Sequence, residues 1–199
     1  MMKNIEQKWL DMVYSVLSNF AEIPLEEWEK GISKGRYLHL KKNEYFVKEG
    51  SIPDKMAFIV SGIFRVFYIT ETGEEKILVF RAEGRLLSAF SAFIENQSSW
   101  FYIQALEDAD LLYIGLDDYK KLLSGNKCWQ TISAKYVEML FVEKEKRERE
   151  FLSDDAETRY RNFIIKYPNI ENRIHQYHIA SYLGITPVTL SRIRNKIKK

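Results

Sequence analysis

The chain of 199 residues has a single cysteine, Cys128, and three histidines, His39, His175 and His178. One cysteine excludes an internal disulfide and a four-cysteine iron–sulfur cluster. His175 and His178 are three apart and could share a helix face, but no nearby carboxylate or thiol completes a metal site. They read as surface or DNA-facing residues, and His39 as a strand residue. No nucleophile elbow, P-loop or HExxH pattern occurs, so no catalytic residue, metal or cofactor is expected, and no enzymatic activity. No run of about 18 apolar residues exists, so no membrane span is expected. Met1 to Lys8 lacks the apolar core of a signal peptide, which points to the cytoplasm. Proline is scarce, with four in the chain, and no repeat or low-complexity stretch interrupts it. Hydrophobic residues at 46% and charged residues at 29% describe a globular protein with a core.

What is present is most specific near the C-terminal end, from Tyr177 to Arg194. Ile179 and Leu183 are one helical turn apart, with the small Ala180 where a second helix must cross. Gly184 ends this helix, where a left-handed backbone is needed. Thr186 is a good N-cap, followed by Pro187 at the first helical position. Leu190, Ile193 and Ile197 then face a core, leaving Val188, Thr189, Ser191, Arg192, Asn195 and Lys196 outside. Two helices joined this way present the second to the major groove of double-stranded DNA. Charge agrees: Arg173 to Lys199 holds six Lys or Arg and no Asp or Glu, leaving residues 1–172 with 24 basic and 28 acidic residues. The spacing predicts base contacts from Pro187, Val188, Thr189, Ser191 and Arg192, with Arg192 the one able to grip a guanine. Tyr177, Thr189, Arg194 and Lys196 suit phosphates, and Thr186 holds the helix start.

Taken in order, residues 5–20 form an amphipathic helix, and a short helix follows Pro24 to about Ile32. From Arg36 to Ile114, short β-type runs alternate with turns: 36–40, 44–47, 56–60, 63–69, 76–80, 100–105 and 111–114. This regular spacing predicts a sandwich or jelly-roll barrel. Leu116 to Leu123 reads as a short helix, and about Trp129 to Phe151 as a long one, apolar on two sides in its first half. One face can lie on the barrel; the other suits the same helix of a second subunit. Ile132, Tyr136 and Met139 form one candidate seam, and Val137, Leu140 and Phe141 another. Glu143 to Glu150 reads as a solvated helix laced by i,i+4 pairs. Ser153-Asp154-Asp155 breaks it and caps a helix over Thr158–Tyr167, ended by Pro168.

This order resembles the Crp/Fnr (catabolite-activator) family of transcription regulators. The resemblance rests on Lys42 to Gly50, Phe58-Ile59-Val60-Ser61-Gly62 before the Arg65 strand, Ala105-Leu106-Glu107-Asp108, and Ile179-Ala180 through Ser191-Arg192. It implies an α+β architecture: a β jelly-roll, cyclic-nucleotide-binding-like effector domain over 1–125, a dimerisation helix over 126–152, and a winged-helix-type helix-turn-helix domain over 153–199. It also implies a homodimer on a two-fold symmetric operator, with RNA polymerase as a candidate partner and a small-molecule effector in the barrel. Relatives that bind cyclic AMP carry a Gly-Glu pair and an Arg-Ser or Arg-Thr pair in a phosphate cassette. Here these fall on Ser88-Ala89 and about Ser99-Trp100, with neither charge. An effector would contact Ser88, Ala89, Phe90, Ser99 and Trp100, and is not expected to be cyclic AMP. The Arg-Glu pair that opens the recognition helix of such relatives is replaced by Pro187-Val188, and the sequence stops before the C-terminal β-hairpin wing many of them carry. The competing reading is a ligand-sensing or protein-interaction module with a decayed DNA-binding end.

Overall fold

A computed structural model describes residues 5–197. The N-terminal Met1 to Asn4, used above to argue against a signal peptide, and the basic pair Lys198 and Lys199 lie outside the described residues. The chain forms two compact units. The first takes the chain up to Val66 and Phe80–Glu138; the second takes Phe67–Val79 and everything from Met139 onward.

The first unit opens with helices α1 (Gln7–Ser18) and α2 (Leu25–Ile32). Eight strands follow: β1 (Arg36–Leu40), β2 (Tyr45–Val47), β3 (Lys55–Ser61), β4 (Phe64–Ile69), β5 (Glu75–Arg81), β6 (Leu86–Leu87), β7 (Tyr102–Ala105) and β8 (Ala109–Gly115). They form two four-stranded sheets, ordered β1-β8-β3-β6 and β2-β7-β4-β5, the jelly-roll arrangement expected from the spacing. Strand β3 is buried from Met56 through Val60. A strand covered on both faces needs such an unbroken apolar run. Phe58, Val60 and Leu112 carry Trp9, Leu10, Val13 and Val16 of α1 on one side. Ile59 and Leu111, paired across β3 and β8, are fully buried. The register shifts between Ile59 and Ser61. Beside that shift Gly62 has φ 103°, and a Cβ there would stand 2.5 Å from the Cβ of Ala109. Only glycine fits.

Helix α3 (Phe90–Glu95) and the two-residue β6 were not expected from periodicity. The stretch from Leu86 to Ile94, apolar but for Ser88 and Ser91, carries no alternation that separates strand from helix. Helix α4 (Leu116–Leu123) falls where the sequence predicts. Helix α5 (Lys127–Ser153) begins in the first unit, where Trp129 and Ile132 join Ile23, Leu122 and Cys128 in a core. Ile132 and Tyr136 are each 6% exposed within a single chain. This corrects their nomination as a dimer seam: both are consumed by the barrel unit's own packing.

In the second unit, α6 (Ala156–Lys166) starts at Asp155, whose side chain accepts the Thr158 N–H at 2.8 Å. A 3-10 turn (Ile170–Asn172) follows Pro168 and leads into α7 (Gln176–Leu183) and α8 (Pro187–Ile197). Tyr160 and Phe163 of α6 and the fully buried Ile179, Leu183 and Leu190 of the α7–α8 pair are core residues of this unit, with the Phe163 and Tyr182 rings 5.5 Å apart.

Candidate nucleic-acid interface and effector pocket

The helix-turn-helix is built as its residues dictate. Gly184 caps α7 with φ 67°, and a Cβ there would lie 2.9 Å from the Phe151 ring. Both the backbone and the close ring demand glycine. The Thr186 hydroxyl accepts the Thr189 N–H at 3.2 Å, opening α8 at Pro187. Leu190 is buried, while Val188 is 61% exposed. Pro187, Ser191, Arg192 and Lys196 are exposed, and Thr189 is half-buried under the cap. The open face of α8 therefore carries one methyl-bearing side chain, small hydroxyls and the Arg192 guanidinium.

Three other residues expected at this surface differ in availability. Lys196 meets Glu157 at 2.6 Å but keeps 73% of its side chain exposed, so the pair is readily exchanged for a phosphate. Arg194 lies 3.9 Å from Glu171 with 16% of its side chain exposed, so it braces α8 against the 3-10 turn. Tyr177 is exposed, with its ring 3.9 Å from that of His178. His178 itself is buried. It belongs to the core side of α7, which corrects the surface assignment made from its spacing with His175.

Sequence reading missed two features of this unit, a pair of guanidiniums and a serine. Arg147, in the charged half of α5, is not a solvated charge. Its guanidinium donates to the Tyr182 carbonyl, sits 3.5 Å from the Tyr182 ring centroid and 4.3 Å from that of Phe151. Burial pushes its pKa down. Arg159 of α6 donates to the Leu183 carbonyl at 3.2 Å and also lies by Phe151, 5.2 Å from its ring centroid. Two guanidiniums thus satisfy carbonyls at the end of α7 that no helix bond reaches. Nothing in the alternating Glu and Lys/Arg run from Glu143 to Glu150 marks Arg147 out. The second is Ser181 of α7. Its hydroxyl accepts the Ile77 N–H at 3.1 Å and donates to the Glu75 carbonyl at 2.9 Å, tying the Phe67–Val79 hairpin to the helix-turn-helix.

In the first unit, the five residues expected to meet an effector differ in burial and exposure. Ala89 is fully buried and Phe90 half-buried. The Ser88 hydroxyl is buried without a hydrogen-bond partner. Ser99 is buried, its hydroxyl donating to the Phe101 carbonyl at 2.9 Å. Trp100 is 76% exposed, so its ring is a surface group and not a wall of an enclosed pocket. Phe90 stacks edge-on with Tyr136, 6.1 Å between centroids, and the Tyr136 hydroxyl donates to the Leu86 carbonyl at 3.4 Å. Among the described residues, no group of three or more His, Cys, Asp or Glu could hold a metal ion, and no helix is long and apolar enough to cross a membrane.

Residues 37–126 match the family model of the cyclic nucleotide-binding domain. A comparison with curated proteins finds no match. Among solved structures, FixK2 from Bradyrhizobium japonicum is 16% identical, with a TM-score of 0.73 over 82% of this chain and 84% of that one. The catabolite activator protein of Thermus thermophilus is 20% identical, with a TM-score of 0.59 over 92% and 86%. A transcriptional regulator described as crp/fnr family, from Eubacterium rectale, is 16% identical, with a TM-score of 0.70 over 88% and 84%.

This is the Crp/Fnr fold. Within it, residues 37–126 are the cyclic nucleotide-binding-type barrel. The Crp/Fnr arrangement accounts for the chain's order of a barrel, a long helix and terminal helices, as its sequence suggests.

Proposed function

We propose that the protein is a DNA-binding transcriptional regulator of the Crp/Fnr type. It acts as a homodimer on a two-fold symmetric operator and does not respond to cyclic AMP. The α7–α8 pair carries this reading: a glycine turn, a Thr186-capped second helix, and an open face holding Val188, Ser191 and Arg192. That face lies in the only strongly basic segment of the sequence. Arg192 reads a guanine in each half-site, and Val188 offers only an apolar contact, as to a thymine methyl. Lys196 and Tyr177 meet phosphates and set the register. Tyr136 and Ile132 being spent inside the chain leaves Val137 and Phe141, 41% and 60% exposed, for the dimer. RNA polymerase is a candidate partner once the dimer is on its operator.

The test is fluorescence anisotropy on random duplex DNA at about 50 and 200 mM salt, followed by selection of bound fragments. Salt-sensitive binding and a palindromic selected sequence are expected. Binding that is absent at low salt overturns the reading in favour of a module that contacts no DNA.

A further inference from the structure

The first unit holds an apolar cavity of about 140 Å³ outside the barrel. Its floor is the face of β3 and β8 that carries Met56, Phe58 and Leu112. Its walls are α1, α2, α4 and the start of α5. None of Ser88, Ala89, Phe90, Ser99 and Trp100 lines it. We propose that this cavity is a binding site for a small, uncharged, apolar molecule of the size of one substituted aromatic ring.

Three observations carry this. First, the hydroxyls of Tyr119, Ser133 and Tyr136 in its lining are already satisfied. The Tyr119 and Ser133 hydroxyls bond each other at 2.7 Å, and the Tyr136 hydroxyl is turned to the Leu86 carbonyl. Water needs two to four polar partners to stay in such a space, whereas a hydrocarbon does not. Second, the volume matches the occupant: a dry cavity of about 150 Å³ lined by Leu, Ile and Phe takes up benzene. Third, one wall is held in place from outside the cavity. The Trp129 indole donates to Glu27 at 2.7 Å and lies over Gly31, where a Cβ would stand 2.8 Å from the ring. A side chain at position 31 would push Trp129 inward and close the space. Ile132 and Tyr136 of α5 line the same cavity, so an occupant bears directly on that helix.

The experiment uses the full chain and needs no DNA, so it stands or falls apart from the regulator reading. Toluene and phenol are titrated in a thermal unfolding assay, with cyclohexanol as a polar control of similar size and acetate as a charged control. Toluene at about ten times its dissociation constant should raise the midpoint by about 3–6 °C, with acetate giving no shift. Val13→Phe, which fills the cavity from the half-exposed face of α1, should lose the toluene shift. Leu17→Phe, one turn along, is the second filling variant should the first not fold. The proposal is overturned if toluene gives no shift in the native chain, or the same shift in a folded filling variant.

Discussion

Gly184 is held by two independent constraints, its left-handed backbone and the Phe151 ring against its Cα. Gly184→Ala should therefore cost about 1–3 kcal/mol in chemical denaturation, more than alanine at an ordinary turn. Tyr160 offers a pH-dependent check on the same unit. Burial, aided by its hydrogen bond to Glu171 at 2.8 Å, pushes its pKa up to about 12. The folded protein then keeps a proton that the unfolded chain releases near pH 10, so the associated stability is complete below pH 10 and is lost as the pH rises toward 12. Tyr160→Phe should show a smaller fall in thermal midpoint across that window than the native chain. Among the described residues, Arg192 has no hydrogen bond or ion pair of this kind to explain it. Arg192→Ala, measured against operator and scrambled duplexes over a salt series, should lose about 1–3 kcal/mol on the operator and far less on the scrambled site. Equal losses on both would make it a phosphate clamp and remove the base-reading assignment.

The long helix α5 offers two candidate seams for the proposed dimer. Ile132 and Tyr136 are buried within the chain, while Val137 and Phe141 are not. Val137→Lys with Phe141→Glu should convert a particle of twice 23.6 kDa into one of 23.6 kDa by light scattering, with little change in unfolding of the barrel. Ile132→Ala should do the reverse, costing about 2–5 kcal/mol while leaving the mass unchanged. The sequence could not choose between these faces. Both were apolar at helical spacing, and which one the barrel takes depends on tertiary packing. The strands and α4 were legible because their periods are short and their turns marked, as at Gly62 and Gly73. The pair β6 and α3 was not, since Leu86 to Ile94, apolar but for Ser88 and Ser91, has no period. Arg147 was hidden for a related reason: in a run where nearly every residue is charged, no face stands out, and only the Tyr182 carbonyl singles one arginine out.

For the molecule as a whole, the barrel and the helix-turn-helix carry different amounts of readable chemistry. The α7–α8 turn was legible to the residue because Gly184, Thr186 and Pro187 each have a local reason to be there. The barrel's ligand was not, because Ser88-Ala89 and Ser99-Trp100 say what is absent and nothing about what replaces it. Calorimetry with cyclic AMP should give no heat of binding at micromolar concentrations, since a cyclic phosphate would find no arginine in that cassette. Micromolar binding would overturn the loss of the nucleotide site. The hairpin from Phe67 to Val79 bears on how such a chain comes to be folded at all. It belongs with the residues after Met139, pinned by Ser181, yet all of Phe80–Glu138 is made in between. On the ribosome, where domains tend to fold in order of synthesis, this strip emerges long before the helix that receives it. The hairpin's Ile77 waits for Ser181 while Phe80–Glu138 is made, so a helix synthesised later completes a surface that much earlier strands began.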